Sequence, residues 1–128
     1  MNGAYWTTNC SQTPYTIYLG DQKPINLVVA YNAAQPFDLT NCTQIIMSLP
    51  NADGTFSTLT LQNSQIAIAS PPQLGAYGGT ITTAISELLQ VGNGQTIDVQ
   101  FTISGSPTTV FTVGYEGLLN VLEPQPFI

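Results

Sequence analysis

Apolar and polar residues alternate along most of the chain, in short runs that turn residues separate. The most regular alternation lies in residues 97–103, where the apolar positions are Ile97, Val99, Phe101 and Ile103. A period of two places these side chains on one face of a β-strand and the intervening polar residues on the other. We therefore expect a central strand here, with one face in the core and the other solvated or in an interface.

Further runs predict strands on the same grounds. They cover residues 15–19, 25–31, 45–49, 55–61, 64–69, 77–83 and 109–115. Between the third and fourth runs, Asn51–Gly54 has the composition of a hairpin turn, because Gly accepts positive φ and Asp can bond to its own backbone. Residues 109–115 are the expected hairpin partner of 97–103. Residues 117–122 either extend the last strand past a bulge or form an edge strand.

Two segments depart from alternation. Ile85, Leu88 and Leu89 recur at helical spacing and predict a short helical crossing segment. Residues 32–41 read as a loop that Phe37 and Leu39 anchor. Together, these patterns predict an all-β chain folded as an immunoglobulin-like β-sandwich of about eight short strands, with one helical crossing segment and extended terminal arms.

The two ends lack any period. We expect an extended N-terminal arm over residues 1–14, the sandwich over 15–122 and an extended C-terminal tail over 123–128. The ends carry aromatic and apolar side chains that either cap the sandwich of their own chain or contact other subunits. The candidate subunit contacts are Tyr5, Trp6, Pro124, Pro126, Phe127 and Ile128.

The composition concentrates polarity in uncharged groups. The 128 residues include 7 acidic residues, one Lys, no Arg and no His, and only 6% of the chain is charged. An ordinary domain has about 25% charged residues. Thr, Gln, Asn and Ser together supply roughly a third of the chain. Such groups can be buried against a neighbour with hydrogen bonds and without the larger cost of desolvating ions. The composition favours a subunit of a large assembly.

The same composition argues against several kinds of chemistry. Without His there is no imidazole base or His-bound metal, and one Lys cannot neutralise a row of phosphates. We predict no catalytic residue, cofactor, metal, nucleic-acid partner or membrane partner. Asp53–Gly54 lacks the repeated acidic positions of a calcium loop, and Gly92–Gly94 lacks the Lys of a phosphate loop. A two-carboxylate glycosidase would need two of the widely spaced acidic residues to meet in one cleft.

The start of the sequence resembles no secretory signal, so we expect assembly in a cytoplasm and reduced thiols at Cys10 and Cys42. A disulfide between them stays open for an oxidising compartment. Trp6 beside polar residues also permits stacking on a sugar, which makes a carbohydrate-binding module for host-surface adhesion the alternative function.

The order of several short motifs resembles the N-terminal immunoglobulin-like module of tailed-phage upper baseplate proteins. The resemblance covers about residues 15–122 and rests on Gly20-Asp21, Pro24-Ile25, Phe37-Asp38-Leu39-Thr40, Asp53-Gly54, Gly75, residues 85–89, Gly94 and Val110-Phe111-Thr112-Val113. It implies a virion structural protein without catalytic residues, located in the capsid, neck, tail or baseplate. The implied partners are other virion proteins and copies of this chain. No long fibre-forming region follows the motifs here, which favours a decoration or small appendage-anchoring subunit.

Overall fold

The computed structural model describes residues 14–32 and 35–124, and this part of the chain forms ten β-strands and one short α-helix. The first five strands are β1 (Tyr15–Tyr18), β2 (Lys23–Val28), β3 (Ala30–Asn32), β4 (Gln35–Pro36) and β5 (Cys42–Pro50). The others are β6 (Phe56–Thr60), β7 (Ile66–Ile68), β8 (Ala76–Ile81), β9 (Gly92–Ile103) and β10 (Thr109–Leu122). Helix α1 (Thr83–Ser86) lies between β8 and β9, and a 3-10 turn covers Pro72–Leu74.

The strands form two main sheets. A five-stranded sheet has the order β1-β10-β9-β5-β6, and a three-stranded sheet has the order β2-β8-β7. Strands β3 and β4 form a separate two-stranded ribbon. Only the β1–β10 pair among the described ladders is parallel. Because the chain passes repeatedly from one main sheet to the other, the result is the predicted immunoglobulin-like sandwich, and the all-β fold class is confirmed.

The core lies between the inner faces of the two sheets. In β9 the buried residues are Ile97, Val99 and Phe101, so the alternation read from the sequence sets the inner face. Phe101 stacks on Phe111 and meets the edge of Tyr77, with ring centroids 5.2 and 5.3 Å apart. Such aromatic pairs add to the burial of apolar area. The core therefore has an aromatic centre that both sheets supply.

Most element predictions are confirmed, including the central place of β9 and the hairpins β5–β6 and β9–β10. Residues 117–122 extend β10 past an irregularity, because the β9–β10 register shifts between Tyr115 and Leu119. Gly117 lies there with φ of +70°, a conformation that side chains with a Cβ rarely adopt. Phe37 and Leu39 are buried, as the loop-anchor prediction required.

Two predictions need correction. The helical segment was expected at 85–89, but α1 ends at Ser86 and leaves Leu88 exposed. The Thr82 side chain accepts a hydrogen bond from the Ile85 backbone and so begins the helix early. Leu89 then forms an antiparallel bridge with Asn51, which stops the helix. The second correction concerns residues 25–41. The predicted strand over 25–31 is divided into β2, which ends at Val28, and β3, and the predicted loop over 32–41 contains the short strand β4.

Ser86 holds the crossing helix against the first turn of the chain. Its hydroxyl donates to the Asp21 carbonyl at 2.7 Å and accepts from the Gly20 amide at 3.0 Å. The side chain is fully buried, and these bonds satisfy it. The α1 segment thus connects the β8–β9 crossing to the β1–β2 turn.

Candidate interaction surface

No group of three or more His, Cys, Asp or Glu side chains could hold a metal ion within the described residues. No helix of this part of the chain is long and apolar enough to cross a membrane. The outer faces of the sheets and their edges are the candidate binding surfaces of the described chain.

Four strands of the five-stranded sheet share a continuous outer face. Their registers align the outward residues in rows across β6, β5, β9 and β10. One row is Thr60, Ile46, Gln100 and Thr112. The next row is Thr58, Ser48, Asp98 and Gly114, and the rows beyond contribute Phe56, Pro50, Gln44, Thr102 and Val110. We call these residues the outer face.

Asp98 is the one ionisable side chain among the residues that define the outer face. Gln100, Thr112 and Thr58 are exposed, and their side chains make no hydrogen bond to the described part of the chain. Their donors and acceptors are therefore available to a neighbouring molecule. A neighbour that supplies matching groups can bury this face with hydrogen bonds. The cost of desolvating a charge would be confined to Asp98 and to Glu116, which lies on the same side of β10 two residues beyond Gly114.

One lateral side of the sandwich is closed by its own side chains. The Tyr15 hydroxyl accepts from the Asn26 amide at 2.9 Å and donates to the Asn26 carbonyl at 2.7 Å, which occupies the free edge of β2. Lys23 Nζ donates to the Thr16 carbonyl of β1 at 2.7 Å. The Asp21 carboxylate accepts from the Tyr18 backbone amide, and the Asp21 backbone amide donates to the Tyr18 carbonyl. These contacts protect the β1 and β2 edges from pairing with another chain.

The opposite lateral side includes β6, whose edge is open over Phe56 and Thr58. The Asn51 amide donates to Thr55, and the Leu61 amide donates to Ile45. The backbone N–H and C=O groups alternate in direction along a strand. Those of Ser57 and Leu59 therefore also point toward β5, whereas those of Phe56, Thr58 and Thr60 point away from it. The backbone groups of Thr60 are already paired with Gln65: the Thr60 amide donates to the Gln65 side-chain oxygen, and the Gln65 backbone amide donates to the Thr60 carbonyl. The outward amides and carbonyls of Phe56 and Thr58 have no partner in the described chain.

The outer face of the three-stranded sheet is a shallow groove with a floor of small residues. It has a volume of about 350 Å³ and is lined in part by Ala67, Ala69, Ala76, Gly78 and Val28. Gly78 permits the close approach of β2, because an added Cβ would lie 2.6 Å from the Ile25 carbonyl oxygen. None of the described residues that line the groove has a charged side chain, and the buried hydroxyl of the lining residue Tyr77 donates to Tyr115.

Two carboxylates serve turns. Hydrogen bonds from the Thr40 hydroxyl and amide lower the pKa of Asp38, and the equivalent bonds from Thr55 lower the pKa of Asp53. Both groups are exposed and satisfied locally. This agrees with the structural interpretation of these residues from the sequence.

Cys42 is a free thiol in the described chain, and burial raises its pKa. Its Sγ donates to the Gln44 carbonyl at 3.4 Å. A half-buried thiol with a raised pKa is mostly protonated at neutral pH, which makes it a poor nucleophile.

Of the predicted contact residues, Pro124 is described, and it is exposed just after β10. Tyr5, Trp6, Pro126, Phe127 and Ile128 lie outside the described residues, as does Cys10. The sequence analysis missed Phe56, which is 61% exposed on the outer face. The signal was present: Leu59 faces inward, and Phe56 is three residues before it, so a period of two directs Phe56 outward.

No protein-family model matches the chain, and no curated protein matches it. Among solved structures, a match described as Drosophila OTK, extracellular domains 3-5, has a TM-score of 0.35 and 13% identity. The match covers 94% of this chain, which spans 36% of that chain's length.

Proposed function

We propose that this chain is a non-enzymatic structural subunit of a tailed-bacteriophage particle, which decorates the particle or anchors an appendage by protein–protein contact. The observation that carries the proposal is the outer face, where uncharged hydrogen-bonding side chains of β6, β9 and β10 are exposed on either side of the half-buried outward residues of β5. A domain that works alone in solution usually distributes both signs of charge over its surface. This face instead suits permanent contact with other proteins.

The motif order supplies the phage assignment. Asp53–Gly54 forms the β5–β6 turn, Gly75 precedes β8, and α1 crosses from β8 to β9. Asp53–Gly54, Gly75 and the crossing segment, predicted at residues 85–89, are among the motifs whose order resembles the baseplate module, and this order is the support for the assignment. The predicted partners are therefore other virion proteins and further copies of the chain, and the predicted location is the virion.

Particle incorporation tests the proposal. Phage particles would be purified from cells that express the wild-type chain, the Gln100→Lys/Thr112→Lys variant or the Ala84→Lys control. Quantitative mass spectrometry would then give the copies per particle. Lys on the outer face should reduce incorporation at least about tenfold, because each buried charge without a partner costs several times the 1.4 kcal/mol that a factor of ten requires. Ala84 is exposed on α1, away from this face, and its replacement should have no effect.

The same experiment covers the terminal contacts. Trp6→Ala and a deletion of residues 124–128 should lower incorporation while the circular dichroism spectrum stays that of the folded chain. Absence of the wild-type protein from purified particles would overturn the proposal. Glycan binding that Trp6→Ala abolishes would instead support the carbohydrate-binding alternative.

A further inference from the structure

We propose that the open edge of β6 pairs antiparallel with β6 of a second copy of this chain, which joins two five-stranded sheets into one. This inference concerns two copies in solution and does not depend on incorporation into a phage particle. It rests on the unpaired backbone groups of β6, on the absence of charge along that strand and on the space around Gly54.

The unpaired groups are self-complementary. Each copy offers outward amides and carbonyls at Phe56 and Thr58, two residues apart. In an antiparallel ladder with Phe56 opposite Thr58 of the second copy, all four residues form hydrogen-bonded pairs. A twofold axis then passes between the two Ser57 residues. Each copy supplies the same groups that it needs from its partner, as an isologous interface requires.

Neighbouring residues favour this register over the alternatives. Thr60 is already bound by Gln65, so a register that places Phe56 opposite Thr60 would have to displace that side chain. In the proposed register Thr60 lies opposite Gly54 of the second copy. Gly54 has a φ of +88° and no atom within 4 Å of an added Cβ, so it leaves room for the Gln65 side chain.

The side chains of β6 also favour pairing with a second copy of the chain. The segment Phe56–Thr60 has no ionisable residue, and the closest acidic residue along the chain, Asp53, would face Leu61 of the partner rather than another carboxylate. Natural edge strands are usually protected by Lys, Pro or a covering segment, and over Phe56 and Thr58 the β6 edge has none of these within the described chain. Phe56 would gain a cross-strand neighbour in Thr58 of the second copy, a pairing that stabilises sheets.

Sedimentation equilibrium of the full chain tests the pairing. The wild-type chain should show a concentration-dependent dimer. Thr58→Pro removes an outward amide from each copy, at an edge position that tolerates Pro, and should weaken the dimer at least about tenfold. Phe56→Lys should do the same by placing charge on the edge. The matched control Thr112→Lys adds the same charge to the outer face on β10 and should leave the dimer intact.

Cysteine cross-linking tests the register. In a Cys10→Ser/Cys42→Ser background, Ser57→Cys should form an intermolecular disulfide when diamide oxidises the two thiols, since these residues meet at the twofold axis. Thr60→Cys, which would face Gly54 of the partner, should not cross-link efficiently. Thermal melts would check that each variant is folded. A chain that is monomeric at every concentration, or a dimer that Thr58→Pro does not weaken, would overturn the proposal.

Discussion

Tyr77 and Tyr115 bring two hydroxyl groups into the core from opposite sheets. The Tyr77 hydroxyl donates to the Tyr115 hydroxyl at 2.7 Å, and the Tyr115 hydroxyl donates to the Val28 carbonyl at 3.0 Å. Tyr115 lies on β10 and Val28 on β2, so this short chain of hydrogen bonds ties the five-stranded sheet to an edge strand of the other sheet. Both rings are buried.

Replacing Tyr115 with Phe should lower the free energy of unfolding by about 1–3 kcal/mol, because the change removes one buried donor and one buried acceptor from this chain. Urea denaturation of the wild type and the variant would measure the difference. Tyr77→Phe is the matched control, since it removes a donor and leaves the bond to Val28. The prediction is wrong if Tyr115→Phe is as stable as the wild type.

Asp53 gives the β5–β6 turn a pH dependence. Hydrogen bonds from Thr55 hold the pKa of Asp53 below its ordinary value of 3.8 in the folded chain. The unfolded chain therefore takes up the proton first as pH falls. The stabilisation is fully present above the ordinary value and is lost as pH falls through the folded pKa.

Asp53→Asn should consequently be less stable than the wild type at neutral pH, and this difference should shrink as pH falls below about 4. Urea denaturation at a series of pH values would show it. Thr55→Ala removes the hydroxyl that contributes most to the lowered pKa, so it should weaken the same pH dependence. A stability difference that stays constant down to about pH 2 would contradict this account.

At the scale of elements, the two lateral sides of the sandwich are treated differently. Side chains of Tyr15, Asp21 and Lys23 occupy the edges of β1 and β2, whereas β6 keeps two residues open. The single Lys of the chain is thus used to cover an edge. This asymmetry supports pairing through β6 rather than through β1 or β2.

Close packing between strands β2 and β8 depends on Gly78. Gly78→Ala should lower the free energy of unfolding by about 1–3 kcal/mol, because the Cβ would overlap the Ile25 carbonyl and force the two strands apart. Thermal or urea unfolding would measure the loss. Gly92→Ala is the control, since its Cβ would lie 3.4 Å from its closest neighbour, a flexible Gln95 side chain. Equal stability losses in the two variants would argue against this packing role.

At the scale of the whole molecule, seven acidic side chains are opposed by one basic side chain, which gives a net charge of −6. The unfolding free energy should therefore stay constant or rise slightly when ionic strength increases from about 0.01 M to 1 M, because salt screens repulsion between like charges. Urea denaturation at the two ionic strengths would test this. A clear loss of stability in high salt would indicate that attractive charge pairs dominate instead.

The position of most strands along the chain, the inner face of β9 and the hairpin at Asp53–Gly54 were determined by the sequence. Each depends on residues close together in the chain, where a period of two or a turn composition is sufficient. The prediction put the helical segment two to three residues too far along the chain, because the Thr82 cap and the Leu89 bridge outweigh the apolar spacing of residues 85–89. The second of these involves Asn51, far away along the chain.

Only the tertiary structure decided which strands became edges and which of those edges stayed open. The sequence of β6 does not reveal that Gln65 covers Thr60, or that Tyr15 covers Asn26 across the sandwich. The outer face was likewise visible only once the registers aligned rows from four strands. Local pattern fixes which side of a strand is buried, but edges and surfaces arise from contacts between residues distant in sequence, and those require the assembled fold.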